Sequence, residues 1–193
     1  MAGKGSSNKG QLRIIGGMWR GRKLLFEGTD GLRPTPDRVR ETLFNWLSAD
    51  IDGARCLDLF AGSGALGLEA LSRGASHCDF VEMQRASIHC IQSHLRALNC
   101  DQGVTHCADS GLWLQSFDPQ KPYDVAFLDP PFGQSLLPPT CSTLEEKQLL
   151  APTARIYLET SIREDSPSVP AHWEQLREKK AGEVRYQLFV RGA

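Results

Sequence analysis

The run Cys56-Leu57-Asp58-Leu59-Phe60-Ala61-Gly62-Ser63-Gly64-Ala65-Leu66-Gly67 constrains this chain more than any other. It opens as an apolar segment, turns glycine-rich, and passes at once into a helical pattern carried by Leu66, Leu68, Ala70 and Leu71. That order predicts strand, tight turn, helix. Gly62 and Gly64 free the backbone for conformations a side chain forbids and let it approach a ligand closely. The unpaired N–H groups at the start of the helix point into the same space. Such a turn, at the carboxyl end of a strand, builds a site for a nucleotide-type cofactor.

The spacing Gly62-x-Gly64-x-x-Gly67 also fits the dinucleotide fingerprint, and Glu82 stands eighteen residues past Gly64, near the place of a ribose-binding acid. Two features pull away from a nicotinamide dinucleotide. Asp58 ends the strand, where a carboxylate repels a pyrophosphate but can hold the ammonium of a methionine moiety. A second motif, Asp129-Pro130-Pro131-Phe132, closes a later apolar strand.

Length and composition set the frame. At 193 residues, 40% hydrophobic and 23% charged, the chain suits one sizeable globular core with a small extension. No apolar run approaches a bilayer span, so no membrane segment is expected. Residues 1–10 are rich in Gly, Ser and Lys, unlike a secretory leader, and read as a disordered arm. The net charge of −1 hides an asymmetry: residues 1–47 carry nine Lys/Arg against four acids, the remainder thirteen against nineteen. A basic front on an acidic body suits a polyanionic partner, although a solvated basic face gives the same count. The six cysteines form no C-x-x-C pair and no zinc spacing, and the five histidines are scattered. Reduced, buried thiols in a cytoplasmic protein are expected, with no metal.

In chain order, Gln11–Ile15 and Met18–Leu25 read as a basic β-ribbon with Trp19 in its bend. Arg20, Arg22 and Lys23 can meet phosphates there; Trp19 can stack on a base or simply pack. The stretch from Leu32 through Arg33 and Pro34 is a stiff lead-in to a helix, with Thr35 as N-cap, Pro36 as first helical residue and Asp37 at the positive end of the dipole. Val39, Leu43, Phe44 and Leu47 form its apolar stripe, with Arg38, Arg40 and Glu41 off it. From Arg55 strand and helix alternate: strands over Arg55–Phe60, His77–Glu82, Val104–Ala108, Tyr123–Leu128 and Arg155–Glu159, and helices over Gly64–Arg73, Arg85–Leu98, Gly111–Gln115 and Leu144–Leu150. This predicts an α/β fold, a mostly parallel sheet with helices on both faces. Glu174–Lys180 and Val184–Val190 flank Ala181-Gly182-Glu183 as a closing hairpin, so one strand must run antiparallel. Residues 133–143, with Pro138-Pro139, read as a loop.

The second motif sits on the same sheet edge as the glycine turn. Pro130 and Pro131 stiffen it and remove two donors, leaving carbonyls free to accept. Asp129 adds a carboxylate and Phe132 a flat apolar face. That set suits a planar group bearing an NH₂: acceptors take its hydrogen bonds and the ring stacks on it.

The two motifs in this order resemble those of class I S-adenosylmethionine-dependent methyltransferases acting on amino nitrogens. More narrowly, Arg13-Ile14-Ile15-Gly16-Gly17, Arg20-Gly21-Arg22-Lys23-Leu24, Arg33-Pro34-Thr35, the run Asp37–Leu47 and Asp58-x-Phe60-Ala61-Gly62-Ser63-Gly64-Ala65-Leu66-Gly67-Leu68-Glu69-Ala70 are similar to the bacterial RsmD family. The resemblance spans about residues 11–190. It implies a Rossmann-like methyltransferase fold with a seven-stranded sheet over 51–193, preceded by an RNA-contacting extension over 11–50. It also implies methylation of the exocyclic amine of one guanine in 16S ribosomal RNA, within a small ribosomal subunit or its assembly intermediate, by a monomer. The residues from Asp58 through Phe60, Ala61, Gly62 and Ser63 to Gly64 would then cradle the methionine portion of S-adenosylmethionine. Glu82 would take the ribose hydroxyls with Met83 against the adenine, and Asp109, beside Ser110, would accept from the adenine amine. Asp129, Pro130, Pro131 and Phe132 would hold the target base; Arg20, Arg22, Lys23, Arg33, Thr35, Arg38 and Arg40 would face RNA.

Other readings use the same residues. The proline motif also suits a DNA base or a protein amide, and a fold that keeps its RNA surface without turnover would be an assembly factor. Intact Asp58, Gly62, Gly64 and Asp129 argue against the last. An NAD oxidoreductase is the weakest.

Overall fold

A computed structural model of the chain describes residues 9–27, 35–117 and 121–192. The N-terminal ribbon pairs β1 (Lys9–Arg13) with β2 (Lys23–Glu27), antiparallel, with Trp19 in the short helical turn between them. β1 takes in Lys9 and Gly10, so the expected arm over 1–10 gives way to strand two residues early; residues 1–8 lie outside the described ones. Leu12, Ile14, Leu24 and Phe26 are buried in the same cluster as helix α1 (Asp37–Trp46) and the sheet, and Trp19 packs against it. The expected stripe of α1 holds: Val39, Leu43, Phe44 and Leu47 are all buried.

The expected cap does not hold. Pro36, with extended backbone, occupies the N-cap position and supplies no side-chain hydrogen bond. The Thr35 hydroxyl, freed from the helix, reaches 3.4 Å to Asp129 Oδ2.

Beyond the ribbon, strands and helices alternate as expected. β3 (Arg55–Asp58), α2 (Ala65–Ser72), β4 (His77–Glu82), α3 (Arg85–Ala97), β5 (Gly103–Cys107), α4 (Ser110–Ser116) and β6 (Tyr123–Leu128) follow in turn. Next come α5 (Leu137–Glu146), β7 (Leu150–Ser161), β8 (Trp173–Ala181) and β9 (Val184–Arg191). Among the described residues the main sheet has seven strands in the order β5-β4-β3-β6-β7-β9-β8. β9 runs antiparallel to both neighbours, because the turn between β8 and β9 is too short for a crossover. α1, α2 and α3 cover one face, where Phe44, Leu68 and Ile91 meet Cys78 and Phe127; α4 and α5 cover the other, where Trp113 and Leu144 meet Leu128 and Ile156.

Two elements, α5 and β7, depart most from expectation. α5 begins at Leu137, inside the supposed loop 133–143, and ends at Glu146. Its prolines sit in the first turn, where the missing N–H costs no hydrogen bond. β7 begins at Leu150, earlier than the expected Arg155, with an irregularity in its pairing near Tyr123 and Val125 that the local pattern conceals. Cys56, Cys78, Cys100 and Cys141 are buried as expected, whereas Cys107 is exposed. No described helix is long and apolar enough to cross a membrane.

Candidate active site

β3 and β6 are neighbours at the place where the strand order reverses, with β4 and β5 on one side and β7 on the other. A crevice outside the carboxyl ends of such strands is where open α/β sheets bind ligands. Asp58, Glu82 and Asp129 end β3, β4 and β6 or directly follow them, and Asp109 follows β5. The fold thus brings the four acids expected from sequence to one rim.

The glycine turn is built as its spacing predicts. Gly64 takes the left-handed conformation, φ 78°, immediately before α2. Its own residue type offers no cap, and Asp58 supplies one from a distance: Oδ2 accepts from the Gly67 backbone N–H at 2.9 Å. Gly67 has a packing reason as well, since a Cβ there would stand 2.2 Å from the Phe80 ring, so only glycine lets α2 lie this close to β4. Phe60 and Gly62 are half-buried, while Ala61 and Ser63 are buried. The Gly62 N–H donates to Glu82 Oε2 at 2.9 Å, and Gln84 N–H donates to Oε1 at 2.7 Å. Glu82 therefore braces the turn, and each of its oxygens keeps a second lone pair for a ligand hydroxyl.

Past Glu82 the rim becomes apolar and open. Met83 is 67% exposed, as is Leu112 at 66%, in the first turn of α4. Sequence reasoning named Met83 and missed Leu112. Asp109 is exposed and caps α4, its Oδ1 accepting from Leu112 N–H at 3.0 Å, beside half-buried Ser110. Helix capping and ligand contact are compatible here, because one carboxylate oxygen suffices for the cap.

At the second motif Asp129 is half-buried, Pro130 buried, and Pro131 and Phe132 exposed. Burial pushes the Asp129 carboxyl up to about 7, against the pull of the Thr35 hydrogen bond. Burial likewise raises Asp58 to about 7, countered by the Gly67 N–H and reinforced by the nearby charges of Asp129 and Glu82. A cation placed beside these two carboxyls favours their charged form, so their ionisation and the binding of a cationic ligand support each other. The donor set therefore fits S-adenosylmethionine, whose ammonium and sulfonium are cations, whose ribose carries hydroxyls and whose adenine needs apolar faces.

The basic residues divide. Arg20, Arg22, Lys23 and Arg38 are exposed, with one Arg22 donor on the Ala97 carbonyl at 3.2 Å. Arg33 lies outside the described residues. Arg40, expected at the RNA surface, is 1% exposed. Its guanidinium meets Glu69, Asp37 and the carbonyls of Arg13 and Thr35, so it fastens the ribbon and α1 to α2. Glu69, fully buried, also accepts from the N–H groups of Ile15 and Gly16 and from Arg73. Thr35, also expected to face RNA, is buried against Asp129 instead. Among the described residues no group of His, Cys, Asp and Glu side chains is arranged to hold a metal ion.

Two further acids escaped sequence reasoning. Glu159, near the end of β7, is 4% exposed and accepts from the Tyr157 hydroxyl at 2.6 Å. Glu164 accepts from the Gly133 N–H at 2.6 Å, tying down the chain just beyond Phe132. The signal for Glu159 was available: an acid in the apolar strand Ile156-Tyr157-Leu158-Glu159 needs a buried partner.

Comparison with known proteins gives a consistent answer. The family model described as Conserved hypothetical protein 95 matches residues 12–190. The chain is 50% identical over 189 residues to the ribosomal RNA small subunit methyltransferase D of Escherichia coli (strain K12), covering 97% of this chain and 93% of that protein. It is 45% identical over 184 residues to the protein of the same name from Haemophilus influenzae, covering 94% of each. Among solved structures, one described as a putative methyltransferase yhhF from Escherichia coli matches with a TM-score of 0.87 and 48% identity, over 95% of this chain and 99% of that one.

Proposed function

We propose that this chain, which belongs to the RsmD family of S-adenosylmethionine-dependent methyltransferases, methylates the exocyclic amine of a guanine in 16S ribosomal RNA. The observation that carries the reading is the placement of Asp58 and Asp129 at the ends of the adjacent strands β3 and β6, each with its own half of the chemistry. The first belongs to the glycine turn, the second to the proline motif.

Bound S-adenosylmethionine supplies an electrophilic methyl group. The protein's part is to aim a weak nucleophile at it. The lone pair of a guanine amine is delocalised into the ring, so the amine attacks only when held out of conjugation. Asp129 and the Pro130 carbonyl accept its two N–H hydrogens and expose the lone pair, while Phe132 stacks on the base. Rate enhancement then comes chiefly from positioning and from exclusion of competing orientations. Asp58 holds the cofactor's ammonium through its free oxygen and keeps the turn in shape through Gly67. Glu82 takes the ribose hydroxyls, and Met83, Leu112 and Asp109 receive the adenine.

The extension over 11–50 is the RNA-facing part. Support comes from the exposed cations Arg20, Arg22, Lys23 and Arg38, spread over the ribbon and the start of α1. Relatives named for the small ribosomal subunit support a substrate within that subunit or its assembly intermediate. The protein acts there as a cytoplasmic monomer.

The test is direct. Purified protein is incubated with labelled S-adenosylmethionine and, separately, naked 16S RNA, assembled small subunits, duplex DNA and ribosomal proteins. Mass analysis of nuclease fragments should find one methylated guanine in the RNA. Label confined to DNA or protein, or no transfer to either RNA substrate, overturns the reading.

A further inference from the structure

Asp129 has a neighbour that the mechanism above does not use. β6 and β7 run parallel, and the last paired residues are Leu128 and Leu158; one step past them come Asp129 and Glu159, whose carboxyls interact electrostatically. Adjacent strands lie about 4.8 Å apart, and residues in register share a face. That face is the one where Phe127 meets Tyr157 and α1 packs. Two carboxyls therefore stand side by side at the rim.

The groups around them are few. Tyr157, two residues back on β7, donates its hydroxyl to Glu159 Oε1 at 2.6 Å. Tyr186 stands in register with Glu159 on β9, and Asp58 ends β3 on the far side of Asp129. Thr35 donates to Asp129 from the segment before α1. Arg40, the buried cation of α1, turns its guanidinium to Glu69 and Asp37 instead. Among the described residues no ion pair includes Asp129 or Glu159.

Like charges this close, with no cation between them, do not both ionise at neutral pH. The two members of the pair differ in burial. Each accepts one hydroxyl, Asp129 from Thr35 and Glu159 from Tyr157, and each bond favours the charged form, but Glu159 is 4% exposed whereas Asp129 is half-buried. We propose that Glu159 is a positioning residue that holds the proton of this pair, which leaves Asp129 as the single charged acceptor for the substrate amine. Burial and the charge of Asp129 both push Glu159 well above the ordinary carboxylate range, the same direction as the geometry. The inference rests on the reading of Asp129 as the group that meets the amine, but the protonation itself does not need a substrate.

Two measurements test it. In the protein alone at pH 8.5, where Asp58 and Asp129 are ionised, infrared spectroscopy should show a carboxylic-acid carbonyl band. E159Q should remove the band, and D129N, which takes away the neighbouring charge, should make it disappear at a lower pH than in wild type. Absence of the band, or its survival in E159Q, overturns the proposal whatever the substrate is. For the reaction, the single-turnover rate of wild-type protein should fall at high pH as Glu159 ionises and repels Asp129. E159Q should lose that alkaline limb and keep the acid limb where wild type has it. A purely structural Glu159 moves unfolding midpoints but neither limb, and a Glu159 already charged at neutral pH makes E159Q shift the acid limb downward. Either result overturns the proposal. Failure of RNA methylation with the infrared pattern intact counts against the functional reading alone.

Discussion

The Arg40 guanidinium and the Glu69 carboxylate meet at 3.3 Å, with side chains 1% and 0% exposed, and join the N-terminal segment to helix α2. Removing one member leaves Glu69 with Arg73 and the Ile15 and Gly16 N–H groups, or Arg40 with Asp37, so the loss is that of one charged hydrogen bond, about 1.5–3 kcal/mol. Arg40→Ala should lower unfolding stability by that order, and Glu69→Gln should do likewise, because it turns an amide N–H₂ toward donors that remain. Urea denaturation measures both. A change under about 1 kcal/mol in either variant refutes the assigned role.

Arg40 and the exposed cations should separate in RNA binding. Replacing Arg20, Arg22 and Lys23 with Ala should weaken binding of 16S RNA and reduce the log–log salt slope by roughly 0.7 to 0.9 for each phosphate that is no longer neutralised. Cofactor affinity should not change, since none of the three lies at the sheet rim. A triple variant with the wild-type slope means that the ribbon does not touch phosphate.

Asp58 makes cofactor binding depend on pH. Its carboxyl is held up to about 7 in the free protein, and a cationic ligand favours the ionised form. Affinity for S-adenosylmethionine should therefore rise between pH 6 and pH 8, by up to roughly tenfold from this group, with proton release on binding. The stability of the free protein runs the other way. A carboxyl with a folded pKa above its unfolded value stabilises the fold at low pH, and that contribution is lost as pH rises toward 7. The cofactor-induced rise in Tm should thus be larger at pH 8 than at pH 6. Asp58→Asn, which keeps an acceptor for Gly67, should flatten the pH dependence of affinity. Calorimetric titration at the two pH values decides, and an unchanged pH profile in the variant removes Asp58 from the linkage.

Asp129→Ala should abolish most activity while S-adenosylmethionine still binds, because the glycine turn, Glu82 and Asp109 are untouched. Asp129→Asn separates two roles. If acceptance and shape suffice, Asn retains substantial single-turnover activity; if the carboxylate also removes the proton, Asn falls toward Ala, by something on the order of a hundredfold. A wild-type rate in Asp129→Ala means the amine is held elsewhere.

The alternation of strands and helices, the turn at Gly62 and Gly64 and the edge on which Asp58, Glu82, Asp109 and Asp129 assemble were all legible in the chain. Each is written in short-range terms: a period of two or of 3.6 residues, a glycine that admits φ 78°, an acid at the end of an apolar run. The residues read differently are those whose partner is remote. Arg40 looked like a surface cation because it lies off the apolar stripe of its helix, yet its partner Glu69 stands 29 residues away. Thr35 has a good local reason to cap α1, and the tertiary fold gives its hydroxyl instead to Asp129, 94 residues on. Glu159 belongs with Asp129 only because β7 pairs in parallel with β6. Local pattern determined which elements form and which sheet edge carries the site. Only the tertiary structure decided which charges are buried and paired, because desolvation and Coulomb attraction act between groups that the chain itself keeps far apart.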